Sequence, residues 1–79
     1  MLLLRPGSVI QLTAKDEADS RTKDRISAND SKGFVVLECT VSSAQLGGRP
    51  GLLLESLNST GKRGERWLGW LASDSVDLV

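Results

Sequence analysis

The run from Arg66 to Val79, Arg-Trp-Leu-Gly-Trp-Leu-Ala-Ser-Asp-Ser-Val-Asp-Leu-Val, constrains the fold more than any other part of the chain. It reads as a strand carrying both tryptophans, a short break of small and polar residues at Ala72 to Ser75, and a terminal strand in which Asp77 interrupts Val76 and Leu78. Two short strands joined so tightly point to a small closed β-barrel.

A chain of 79 residues beginning at Met1 is expected to form one domain over its whole length, 1–79. A domain of this size buries only about 60% of the surface that its unfolded chain exposes, so its core is modest. Ten basic and ten acidic residues cancel, and no global field draws the chain to nucleic acid or an anionic membrane. Cys39 is the only cysteine, which rules out an intramolecular disulfide and makes the cytoplasm the expected location. Met1 to Leu4 is apolar, but Arg5-Pro6-Gly7 ends it too soon for a signal segment or a membrane span. It is expected to be a first strand or a hydrophobic plug over one end of the barrel. Asn58-Ser59-Thr60 matches a glycosylation sequon, to which no role is expected without a signal peptide.

Alternation and turn residues predict strands over 8–13, 33–42, 51–57, 65–71 and 76–79. For Gly51 to Leu57 a short helix is the alternative, since leucine favours helices. On the 33–42 strand the period of two places Val35, Leu37, Cys39 and Val41 on one face and Phe34, Val36, Glu38 and Thr40 on the other. The first set is taken as inward, which gives an expected core of Val9, Val35, Leu37, Cys39, Leu53 and Val76. Ala14 to Lys32 holds half of the charged residues, with Ile26 its only large apolar residue. It is expected to be a long, exposed, mobile loop, or alternatively a short charged helix around Glu17 to Arg25. The architecture anticipated is all-β, a five-stranded barrel with one long charged loop.

Gly69-Trp70-Leu71-Ala72-Ser73-Asp74-Ser75-Val76 resembles the end of Src-homology-3-type barrels. There the fourth strand runs through Gly, a bulky residue and an apolar residue into Pro-Ser-Asn-Tyr-Val and the last strand. The resemblance implies a 3₁₀ turn at 72–75, a long first loop at 14–32 and a distal hairpin at 58–65. Peptide-binding members grip polyproline ligands with a tyrosine-rich shelf. Here tyrosine is absent, Ala72 stands in the proline position and Ser75 in the tyrosine position, so that ligand is not carried over.

With no histidine or tyrosine and a single cysteine, the common general bases and most metal-ligand sets are missing, and neither catalysis, a cofactor nor a metal is expected. Cys39, among strand residues, reads as a small core hydrophobe. Asp16, Glu17 and Asp19 lack the pattern of a calcium loop, and Gly47-Gly48-Arg49-Pro50-Gly51 lacks the ending of a phosphate loop. The expected function is a protein-interaction module or small subunit of a larger assembly. Its contact residues would be Trp67, Trp70 and Arg66, with Arg21 and Arg25 from the charged loop. Spaced three apart, the tryptophans face opposite ways along a strand, one to the core and one outward. One alternative is a nucleic-acid-binding barrel using Lys62, Arg63 and Arg66. Another is a structural homo-oligomer in which a sister chain covers Leu2 to Leu4.

Overall fold

Two hydrophobic runs, Phe34 to Leu37 and Leu52 to Leu54, lie side by side in the central antiparallel pair of the molecule. The computed structural model describes residues 4–79, so Leu2 and Leu3 of the expected N-terminal plug lie outside the described residues. Leu4 packs against the core. In chain order the elements are β1 (Val9–Ile10), β2 (Leu12–Ala14), α1 (Ser20–Asn29), β3 (Phe34–Ser43), β4 (Arg49–Ser56), β5 (Leu68–Ala72) and β6 (Val76–Leu78), with 3₁₀ turns at Ala44–Leu46, Lys62–Gly64 and Ser73–Ser75. Strands β1-β3-β4-β5 form one antiparallel sheet and β2-β6 a second. Only Gln11 separates β1 from β2, so one stretch of chain serves both sheets and the whole curls into a half-barrel. The molecule is therefore mostly strands with one short helix.

Its core is Leu12, Phe34, Val36, Leu52, Leu54, Leu71 and Val76, with Ile10, Ile26, Cys39 and Trp67 packed around it. Of the residues expected inside, only Val76 is fully buried; Cys39 is half-buried and inward. Val9 is 63% exposed and Leu37 41%, while Val35 and Leu53 are half-buried. The error has a physical cause. Both faces of β3 and β4 are apolar, so alternation alone could not say which face turns inward. In addition, β3 carries a bulge: Val36 pairs with Leu54 but Glu38 with Leu53, leaving Leu37 as an extra residue. The bulge reverses the parity of the strand, so Phe34 and Val36 point inward before it and Cys39 points inward after it. Outward, Val9, Val35, Glu55 and Leu68 form one cross-strand row.

The charged segment is not the loop first expected, because most of it is α1, close to the helical alternative. Asp19 caps the helix, its side chain accepting from the Thr22 backbone N–H at 2.8 Å. That bond and, after it, one from the Thr22 side chain hold the Asp19 carboxyl below the ordinary carboxylate range. A capping carboxylate with a lowered pKa stabilises fully above its ordinary value, and the contribution fades as pH falls through the lowered one. The inward stripe is Ala18, Thr22, Ile26 and Asn29, spaced like one helix face but hardly apolar.

Polar bonds make up the difference. Asn29 is 3% exposed; its Oδ1 accepts from the Gly33 N–H and its Nδ2 donates to the Gly33 carbonyl, both at 2.8 Å. Gly33 has φ 103°, and a side chain there would crowd the Ile10 carbonyl, so only glycine fits this junction. From the other side Asn58 Nδ2 donates to the carbonyls of Ala28 and Asn29, at 3.1 and 2.9 Å. The amide of the sequon is thus engaged in the fold. Pinned in this way, α1 is expected to exchange its backbone amides from Arg25 to Asn29 more slowly than the 59–64 loop does. Hydrogen exchange on the isolated protein checks this, and equal rates would restore the mobile-loop reading.

Candidate functional site: a cleft between the helix and the edge of the sheet

Strand β5 ends its sheet, and α1 stands beside it, leaving a cleft of about 330 Å³. Arg21, Thr22 and Arg25 line the helix side, Gly69 to Ala72 with Trp67 the strand side, and Gln45, Leu46 and Arg49 one end. Trp67 and Trp70 both border it, and both are half-buried. They face opposite ways, as their spacing predicts, but neither is a plain core residue and neither is fully exposed.

The Trp67 ring lies on the inner side, edge-on to Phe34 with centroids 6.3 Å apart and planes at 78°. Its neighbour two residues on is Gly69, where an added Cβ would sit 2.5 Å from the indole Cζ2. The missing side chain is what lets the ring lie flat there. Across the cleft, the Arg25 guanidinium covers the ring at 4.5 Å from its centroid and donates to the Thr60 carbonyl at 3.2 Å. Burial, and secondarily the charge of Arg21, lowers the Arg25 pKa, but a guanidinium remains a cation. Trp70 lies on the outer side over Gly51, where a Cβ would meet Leu46 and Trp70 at 2.6 and 3.1 Å.

Ser56 sets the approach to this site. Its hydroxyl accepts from the Trp67 N–H at 2.9 Å and donates to the Asn58 carbonyl at 2.7 Å, while its own N–H donates to the Trp67 carbonyl at 2.8 Å. One fully buried serine therefore fixes both the loop that receives Arg25 and the backbone of Trp67.

Four of the expected contact residues, Arg21, Arg25, Trp67 and Trp70, meet at the cleft. Arg66 does not. It stands near a second, shallower hollow with Lys62 and Leu68 and pairs with Glu55 at 3.6 Å. Lys62 and Arg63 are exposed on the 3₁₀ turn, Arg63 at φ 61°. At the cleft end Arg49 is neutralised by Asp74 at 2.6 Å and also donates to the Ser75 hydroxyl. Among the described residues Arg21 and Arg25 make no ion pair, and they carry the rest of the cleft's positive charge. Asn29, Ser56, Asn58 and Gly69 escaped the sequence reading, and the one available signal for α1 was the cap pattern of Asp19 ahead of Thr22.

Among the described residues no group of three or more histidine, cysteine, aspartate or glutamate side chains could hold a metal, and no helix is long and apolar enough to cross a membrane. Compared with known protein families, curated proteins and solved structures, the chain matches none.

Proposed function

We propose that this protein is a non-catalytic protein-interaction module, a small cytoplasmic adaptor or subunit, whose contact surface is the cleft between α1 and β5. The observation that carries the reading is the convergence there of two half-exposed tryptophans and two arginines from distant parts of the chain. Tryptophan and arginine are the side chains most enriched among residues that dominate binding energy. The order of pairing, with β6 on β2 and β1-β3-β4-β5 following, together with a 3₁₀ turn before the last strand, supports a Src-homology-3-like barrel as the architecture. A polyproline ligand is not part of the proposal, since the tyrosine shelf is missing.

The nucleic-acid reading draws less support. Arg66 is answered by Glu55, and the face of Trp67 that a base would stack on is occupied by Arg25. The two readings separate on substitution. Gly69→Ala, which drives a Cβ into the Trp67 ring, and Arg21→Glu are each expected to lower retention of protein partners by about tenfold in a pull-down from nuclease-treated lysate. Lys62→Glu with Arg63→Glu is expected to leave it unchanged. The reverse pattern, with salt-sensitive retention of RNA or single-stranded DNA, would favour the basic turn.

A further inference from the structure

The Ser56–Trp67 bonds fix which way every backbone group of β5 points. Because Trp67 turns its N–H and carbonyl toward β4, alternation in an antiparallel pair turns those of Gly69 and Leu71 the same way. The N–H and carbonyl groups of Leu68, Trp70 and Ala72 point the other way, and among the described residues no strand pairs with that side of β5. The cleft lies beside the Trp70–Ala72 part of β5, and the second hollow beside Leu68.

We propose that the cleft takes an extended acidic segment of a partner protein, added antiparallel or parallel as a further strand on the free edge of β5. This rests on the cleft being the binding surface and names what it binds. Main-chain hydrogen bonds to Leu68 and Trp70 supply the attachment, and side chains of alternate residues supply selectivity. The two faces of the added strand meet different chemistry. Toward the helix it meets Arg21, exposed, and Arg25, half-buried over Trp67. Toward the outer side it meets Trp70 and Leu68, the latter 57% exposed. Successive residues of a strand point to opposite faces, so the complementary sequence alternates acidic with apolar residues. Charge selects the sign of the partner. The whole chain has no net charge, yet this cleft carries Arg21 and Arg25, which make no ion pair among the described residues, against one acid, Asp19, which feels the charge of Arg21 and Arg49 while its carboxylate caps the helix.

The probe is a fluorescent octapeptide alternating glutamate and valine, titrated against the wild-type protein. Its control is the same peptide N-methylated at alternate amides, which keeps charge and side chains but removes strand bonds. Expected are saturable binding at low salt, a loss of at least about tenfold for the methylated peptide, and a similar loss for Arg21→Glu. In the complex the Leu68 and Trp70 amides should slow in exchange while that of Gly69, already bonded, does not change. Equal binding of both peptides with Arg21→Glu still weakening it would overturn strand addition and leave the cleft reading standing. Binding that ignores Arg21→Glu and perturbs other strands would remove both. Failure of the octapeptide to bind at concentrations up to about 1 mM, or stronger binding of a poly-uridine strand to the same cleft, would show the wrong partner class.

Discussion

Phe34→Ala is expected to lower folding stability by about 3–5 kcal/mol, the usual loss when a buried phenylalanine is cut back to alanine. Phe34 is fully buried at the centre of the core, and its ring also meets the edge of Trp67. The total stability of a domain is only about 5–15 kcal/mol, and a chain this short belongs near the lower end. The variant should therefore be mostly unfolded, or fold only with stabilising salts. Leu37→Ser, three positions along the same strand and 41% exposed, is expected to stay within about 0.5 kcal/mol of the wild type. Urea denaturation followed by tryptophan fluorescence measures both. The contrast tests the face assignment of β3, because the opposite ranking would mean that Val35 and Leu37 line the core after all.

Asn29→Ala should come next in size, at about 2–4 kcal/mol. It strands the buried N–H of Gly33, whose unmade bond costs about 1–3 kcal/mol, and takes one of two donors from the Gly33 carbonyl, which still accepts from the Leu57 N–H. It also removes the side chain that donates to Asn58 Oδ1. The effect should not stop at stability. With its C-terminal end released, α1 no longer holds Arg25 over Trp67, so partner binding should fall further than the folded fraction does. Denaturation and a binding titration on the same sample separate the two losses. A variant that unfolds in urea like the wild type would mean that the helix is held by Ile26 and Ala18 alone.

What the sequence disclosed depended on whether a residue's partner was near or far along the chain. Strands and turns are local patterns, and Phe34–Ser43 and Val76–Leu78 lie within a residue of where alternation put them, while Leu68–Ala72 starts three residues later than expected. Face is not local when Phe34-Val35-Val36-Leu37 and Leu52-Leu53-Leu54 offer apolar side chains to both sides. Choosing between them needs knowledge of what lies across the sheet. The helix was hidden for a related reason. Its fully buried positions are Thr22 and Asn29, both polar, and Asn29 is held inside by bonds to Gly33 and Asn58 and not by hydrophobicity. At the site, arginine and tryptophan were legible by residue type, and so Arg21, Arg25, Trp67 and Trp70 could be named. That Arg66 would be drawn away by Glu55 could not be read, because the two residues become neighbours only when β4 and β5 are placed together.

The extra residue in β3 also marks the place where this strand can lose length. Exchanging Leu37 for another side chain alters a partly exposed position and little else. Removing it would leave Glu38 opposite Leu53 and Cys39 opposite Leu52, the same pairs as before, now in unbroken alternation from Val36 onward. The facing run of β4 has no such surplus. Removing Leu53 would make Leu52 and Leu54 consecutive and turn one of these two buried side chains out of the core. Of two runs spelled in much the same apolar letters, only one has a letter to spare.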